Sequence, residues 1–121
     1  GGTVNLKHVS LVHNGDDSLD LDQGYTGNIQ FVFIALDVHD DETDTAMEIS
    51  NGDEANSNLE PRTTPVISHV TIYGPSPTEC RDGHKHRHLV NMKHGGAGYF
   101  ANFLAAFSPK FMNTEGVTPP M

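Results

Sequence analysis

The chain has 121 residues, a net charge of −9 and an apolar content of 36% without Trp. This length suits one domain, and the low apolar content favours a thin core extended along a repeat over a thick multilayer core. The acidic balance argues against a nucleic-acid partner, and the longest apolar run, residues 31–36, is too short to span a bilayer. Thirteen of the sixteen acids lie in residues 16–60, which contain no Lys or Arg. This asymmetry is compatible with cation binding or with head-to-tail contacts between copies.

Four segments rich in β-branched and aromatic residues predict long strands. The first, residues 3–13, loses its alternation near His8, which predicts a bulge or a bend. The second, residues 28–36, is apolar enough to predict a strand buried on both faces. In the third, residues 64–74, apolar and polar residues alternate. The fourth, residues 98–107, is predicted as a strand rather than a helix because Gly and Pro flank it.

Short apolar pairs lie between these long strands. They are Leu19 and Leu21, Met47 and Ile49, and Leu89 or Val90 with Met92. Each pair is followed by a polar turn that leads to the next long strand, so long and short strands alternate. The first interval between long strands is typical of one coil of a parallel β-solenoid, and the later intervals carry insertions at residues 51–65 and 74–88.

The pattern predicts an all-β fold, a right-handed parallel β-helix of about three to four coils with long inserted loops. We expect the module to cover residues 1–110 and residues 111–121 to form a C-terminal tail, and the module is compatible with being part of a longer solenoid. An antiparallel sandwich is the main alternative, but the alternation of long and short strands favours the solenoid. The predicted core includes Phe residues 31, 33, 100, 103 and 107.

Several short motifs carry a resemblance to a known family. They are the opening Gly1–Val4; Asp16, Asp17 and Asp20; the run with Asp22, Gly24, Tyr25, Gly27, Gln30 and Phe31; and Glu48 and Asn51 before Thr64 and Pro65. Over residues 1–107 the chain resembles secreted or surface bacterial proteins with a right-handed, pectate-lyase-like parallel β-helix. The resemblance implies this fold and an extracellular or cell-surface location. It implies no particular reaction, and the His-rich insertion at residues 84–88 departs from it.

Four Asp residues within the segment 16–22 suggest a Ca²⁺ site. If Leu19 and Leu21 point inward, Asp20 and Asp22 lie on one outward face, and Asp16 and Asp17 precede them in a turn. Ca²⁺ takes six to eight oxygen ligands, which this cluster could provide in part. The four Asp residues are therefore the Ca²⁺ candidates, with solvated turn residues as the simpler explanation. Catalysis by these carboxylates is a minority interpretation, because no Lys or Arg lies near them in sequence.

A second candidate metal site lies in the His-rich insertion. His84, His86 and His88 share a face if the segment is extended, and imidazoles suit Zn²⁺, Cu²⁺ or Ni²⁺. The simpler interpretation is an exposed basic loop that pairs with an acidic face.

The leading functional hypothesis is a structural β-helix module, self-assembling head-to-tail into a filament and stabilised by Ca²⁺. The alternatives are a carbohydrate-binding or polysaccharide-cleaving module and a transition-metal binder. Expected partners are other copies, further coils of the same chain or a polysaccharide. No nucleic acid, no membrane span and no cofactor other than Ca²⁺ are expected.

Overall fold

The computed structural model describes residues 1–37, 43–74, 88–108 and 110–116. Within these ranges the chain forms eight β-strands and one turn of 3-10 helix, Glu54–Asn56. The long strands are β1 (Leu6–Val12), β3 (Asn28–Ala35), β5 (Val66–Tyr73) and β7 (Tyr99–Ala106), and the short strands are β2 (Leu19–Leu21), β4 (Met47–Ile49), β6 (Val90–Lys93) and β8 (Met112–Glu115). In the same ranges, no helix is long and apolar enough to cross a membrane.

The long strands and the short strands form separate sheets. One sheet has the order β1-β3-β5-β7 and the other β2-β4-β6-β8, and every pairing is parallel. Each long strand and the short strand after it make one coil. The prediction of a parallel β-helix with three to four coils is therefore confirmed, with four coils in the described residues.

The spacing of the coils follows the inserted loops. Leu6 pairs with Ile29, Ile29 with Ile67, and Ile67 with Phe100, at intervals of 23, 38 and 33 residues. Of these three intervals the first is the shortest, and the second contains the predicted insertion at residues 51–65. Because sequential long strands stay in register, extra residues enter only at the turns.

Inward side chains stack in columns along the solenoid axis. In one column Val32 and Val70 are 4% and 1% exposed, whereas Val9 and Phe103, at its two ends, are only partly buried. The difference arises because an inner coil packs against coils on both sides and a terminal coil against one. The hydrophobic effect is therefore strongest in the second and third coils.

Each long strand is bent at one residue with left-handed backbone conformation. These residues are His8, Phe31, His69 and Asn102, with φ between 56° and 57°. The bend interrupts the inward and outward alternation, so that two successive side chains point outward, as Gln30 and Phe31 do. The bend predicted near His8 is therefore confirmed, and it recurs in every coil.

The side chains at the bend also stack on each other. The ring centroids of His8 and Phe31 are 5.0 Å apart, and those of Phe31 and His69 are 4.8 Å apart. The column ends where Asn102 Nδ2 lies 3.1 Å from His69 Nε2. The stacked rings offset part of the cost of holding bulky residues at positive φ.

We expect His69→Val to lower the free energy of unfolding by about 1–2 kcal/mol, because a β-branched residue is strained at positive φ and the ring contact is lost. His69→Asn should cost less, since Asn tolerates this conformation. Thr71→Val, at an exposed regular position of the same strand, is the control. Urea unfolding measures all three, and equal effects of the two Val substitutions would contradict the bend.

The structure corrects the predicted positions of three aromatic residues. Phe31, Phe33 and Phe107 are 42%, 41% and 48% exposed, so their assignment to the core was wrong. Phe31 points outward because it occupies the bend, and Phe33 alternates with the buried residues on either side of it. The prediction that residues 28–36 are buried on both faces was wrong for the same reason. Phe100 and Phe103 do pack against the core, as expected.

The predicted tail contains a strand. Residues Met112–Glu115 form β8, which pairs in parallel with β6, so this part of the predicted tail belongs to the short-strand sheet. Met112 packs against the core, and the ring of Phe111 meets that of Phe103 edge to face with centroids 5.9 Å apart. These two apolar residues complete the fourth coil. Residues 117–121 lie outside the described ranges.

Candidate functional site

A polar ladder runs along the outward face of the short-strand sheet. Asp20, Glu48, Asn91 and Asn113 pair in register, one from each coil. Their neighbours in the strands, such as Met47 and Ile49 beside Glu48, are inward and buried. Successive members lie on adjacent strands, which are about 4.8 Å apart in a sheet. The fold therefore repeats a hydrogen-bonding side chain at regular intervals along the solenoid axis.

The ladder is internally connected. Asn113 Nδ2 donates to Asn91 Oδ1 at 3.1 Å, and Asn91 Nδ2 lies 3.4 Å from Glu48 Oε2. Asp20 is exposed, Glu48 and Asn113 are half-buried, and Asn91 is 9% exposed. The ladder is thus recessed at its centre and open at Asp20.

A base joins the acids of this face. Lys93 Nζ lies 2.7 Å from Glu48 Oε1, and this hydrogen-bonded pair raises the pKa of Lys93. The pKa of Asp20 is raised by partial burial and by the negative charges of Glu48 and Asp22. No Lys or Arg lies near the acidic segment in sequence, but coil stacking brings Lys93 of the third coil beside the acids of the first two.

Asp16, Asp17 and Asp44, which we call the acidic corner, lie just before the short strands β2 and β4. Carboxylate oxygens of Asp16, Asp17 and Asp44 all lie within 4.8 Å of one another. Asp17 Oδ1 accepts hydrogen bonds from the backbone N–H of Thr45, at 2.9 Å, and from the Thr45 hydroxyl. Burial raises the pKa of Asp17 from 3.8 to about 6, although the bonds from Thr45 act in the opposite direction. A carboxylate with this environment is costly to ionise.

The structure brings together only part of the predicted Ca²⁺ set. Asp16 and Asp17 belong to the acidic corner, whereas Asp20 lies on the outward face of β2 and Asp22 follows this strand and lines a cleft, so neither is a member of the group. Asp44 was not among the candidates predicted from the sequence. Pairing of Leu19 with Met47 places Asp44 one coil after Asp16, and aligning the two short strands would have found it.

The raised pKa of Asp17 predicts a pH-dependent stability. Because the folded chain holds this proton more tightly than the unfolded chain, stability should fall as the pH rises from about 4 to above 6. Asp17→Asn keeps an acceptor for Thr45 and removes the charge. At pH 7.5 we expect it to raise the free energy of unfolding by about 1 kcal/mol, a value reduced for solvent screening. Urea titrations across this pH range test it, and a less stable variant at pH 7.5 would contradict it.

The predicted transition-metal site is largely outside the described residues. His84 and His86 fall in the range 75–87, which the structure does not describe. His88 is half-buried and directly precedes buried Leu89. The His-loop site therefore stays a prediction.

A cleft lies between residues 22–24, in the turn that follows β2, and residues 51–61 of the inserted loop. It has a volume of about 440 Å³ and is lined mainly by acids and amides, with Leu59 and Pro61 as apolar members. The acids and amides are Asp22, Gln23, Asn51, Asp53, Asn56 and Glu60. One wall is ordered by Asp53, whose Oδ1 accepts from the backbone N–H of Asn56 at 2.9 Å.

Asn51 holds the inserted loop in place. Its Oδ1 accepts from the backbone N–H of Thr63 at 2.7 Å, and its Nδ2 donates to the carbonyl oxygens of Leu59 and Ser57 at 2.8 and 3.3 Å. Thr63 Oγ1 in turn accepts from the backbone N–H of Gly24 at 2.9 Å. One buried amide therefore connects both walls of the cleft.

These features define a class of protein, a parallel solenoid that presents a continuous polar surface along one sheet. The family follows from comparison with known families: the model of the pectate-lyase like beta helix domain matches residues 1–115. The chain therefore belongs to this family, in agreement with the resemblance drawn from its motifs. No curated protein and no solved structure is matched.

Proposed function

We propose that this β-helix module binds a polysaccharide chain along the outward face of its short-strand sheet. The ladder of Asp20, Glu48, Asn91 and Asn113 carries the proposal, because it repeats once per coil and runs parallel to the solenoid axis. Carboxylates and primary amides supply acceptors and donors for sugar hydroxyls. An extended polymer would meet an equivalent group at each coil. Such a ligand fits the extracellular or cell-surface location that the family resemblance implies.

The charge of the face narrows the class of polysaccharide. The ladder and the cleft contain Asp20, Glu48, Asp22, Asp53 and Glu60, and Lys93 is already paired with Glu48. An anionic chain would be repelled unless a cation bridged it. The proposed ligand is therefore a neutral or amino-sugar polymer.

Isothermal titration of the whole chain with neutral, amino-sugar and uronate oligosaccharides tests this function. We expect binding to the first two classes, weakened at least about tenfold by Asp20→Ala or Asn113→Ala. Thr71→Ala, on the outward face of the long-strand sheet, is the matched control and should bind as the wild type does. Binding to none of the ligands, or full affinity in both ladder variants, would overturn the proposal. The same mixtures are assayed for newly formed reducing ends, and we expect no increase over the oligosaccharide alone.

A structural role is the second candidate, and one observation favours it. Within the described ranges, the partly buried apolar side chains that pack against the core cluster belong to the first or the last coil: Leu6, Leu11, Leu19, Phe100, Phe103 and Met112. Stacking of copies end to end would bury them and pair the open edges of β1 and β7. Negative-stain microscopy of the pure protein would then show filaments, and discrete particles of one small size would exclude this role.

We also propose that Ca²⁺ stabilises the acidic corner. Besides the three carboxylates, the oxygens Asn14 Oδ1 and Ser18 Oγ are buried and have no hydrogen-bond partner among the described residues. Both side chains lie within two residues of Asp16 in the sequence. Carboxylate, amide and hydroxyl oxygens are the ligands that Ca²⁺ takes.

Melting curves with chelator and with added Ca²⁺ test the site. A ligand that binds only the folded chain raises the melting temperature. We expect such a rise in the wild type and in Asp22→Asn, and a much smaller rise in Asp17→Asn. This pair separates the acidic corner from the predicted set of four Asp residues. An unchanged melting temperature of the wild type would reject the site.

A further inference from the structure

The outward face of the long-strand sheet beyond the bend carries no charged side chain and is mostly apolar. It consists of two columns in register, Ser10, Phe33, Thr71 and Leu104, and Val12, Ala35, Tyr73 and Ala106. We call these eight residues the flat face. Four of them are large apolar or aromatic side chains with high exposure: Val12 50%, Phe33 41%, Tyr73 46% and Leu104 66%. The ring of Phe107, 4.9 Å from that of Tyr73, extends the flat face at one side.

We propose that the flat face is the contact surface for a second copy of this chain, which docks through the same face to form a two-fold dimer. The polysaccharide proposed above would bind on the other sheet, so this dimer does not depend on that function. The flat face lies along the side of the solenoid and is therefore separate from the open ends at which copies would stack.

The distribution of charge favours a second copy as the occupant. The chain has sixteen acids and a net charge of −9, yet none of the eight residues of the flat face is charged. Two copies repel each other when acidic surfaces meet, and this repulsion is weakest when the acid-free faces meet. A two-fold contact places the same patch on both partners, which an uncharged surface tolerates.

Shape and area are compatible with this contact. Four strands at about 4.8 Å spacing and four residues at about 3.3 Å rise give a face of roughly 19 by 13 Å. Two sheets pack face to face at about 10 Å with their side chains interdigitated. The flat face has a projected area of about 250 Å² per copy, or about 500 Å² for both, and the relief of the side chains together with Phe107 brings the buried accessible area to at most roughly 1,000 Å², the size of a weak contact. The dimer is therefore expected to be reversible, with a Kd of about micromolar or weaker.

Sedimentation velocity of the whole chain between about 5 and 500 µM tests the dimer. We expect a concentration-dependent shift from monomer to dimer. Phe33→Lys, in a central strand, should weaken association at least about tenfold because it places a charge at the centre of each face. Leu104→Lys is a second variant. Leu59→Lys, at a leucine 59% exposed on the inserted loop, is the matched control and should dimerise as the wild type does.

The outcomes separate the flat face from other contacts. A wild type that stays monomeric over the whole range overturns the proposal. Association that persists unchanged in both Phe33→Lys and Leu104→Lys also overturns it. If that association forms oligomers of increasing size, it indicates end-to-end stacking instead. Thermal melts of each variant establish that a monomeric variant is folded.

Discussion

Asn51→Ala is expected to lower the free energy of unfolding by about 3 kcal/mol. The substitution removes three hydrogen bonds of a side chain that is 3% exposed. It leaves the backbone N–H of Thr63 without its partner, and Thr63 is fully buried. An unsatisfied buried donor costs more than a lost bond that water can replace. Urea unfolding followed by circular dichroism measures the loss.

Asn58→Ala is the matched control for Asn51, because Asn58 is an exposed amide on the same loop. Its effect should lie within about 0.5 kcal/mol of zero. Limited proteolysis should cut the loop of the Asn51 variant faster than that of the control, since Leu59 and Ser57 lose their anchor. Equal stability of the two variants would contradict the role assigned to Asn51.

Ile67→Ala is expected to cost about 3–4 kcal/mol. Ile67 has no exposed surface and lies in the third coil, between Ile29 and Phe100 of the adjoining coils. Both neighbouring coils hold the backbone in place, so the cavity cannot collapse easily. Against a total stability of about 5–15 kcal/mol, this loss should shift the unfolding transition strongly.

One column of the core allows the same substitution to be compared in two coils. Val70 is 1% exposed and Val9 is only partly buried. We expect Val70→Ala to destabilise by about 2 kcal/mol and Val9→Ala by about half as much, because the apolar area removed from water is smaller in the terminal coil. Equal losses would contradict a solenoid in which burial depends on neighbouring coils.

Much of the architecture could be predicted because periodicity is a local signal. Leu19 and Leu21 mark a short strand by alternation alone, and β2 is found there. The break near His8 marks the bend, which the structure places at φ 57°. In both cases the residues that set the backbone conformation are adjacent in sequence.

The errors arose where the bend within a strand or the neighbouring coils decide the outcome. Phe33 lies among apolar residues in the sequence, but the bend at Phe31 shifts the inward and outward alternation so that Phe33 points outward. Met112 follows a loop and lies among polar residues, and it becomes part of a strand only because β6 offers an open edge for pairing. Apolar content alone does not determine which way Phe33 points or which strand the segment with Met112 pairs with.

The candidate site was partly predictable for the same reason. The outward position of Asp20 follows from alternation within β2. Asp44 joins Asp16 and Asp17 only through the register between β2 and β4, and Lys93 reaches Glu48 only across the next pairing. Contacts between coils depend on the lengths of the inserted loops, which sequence periodicity does not determine.

Chemical-shift mapping by NMR tests most directly whether the short-strand face binds carbohydrate. A neutral or amino-sugar oligosaccharide would be added to the isotope-labelled chain and the amide signals followed. We predict that the largest changes occur at Asp20, Glu48, Asn91 and Asn113 and in the turn Asp22–Gly24. Changes confined to the long-strand sheet, or no change at saturating ligand, would contradict the proposed function.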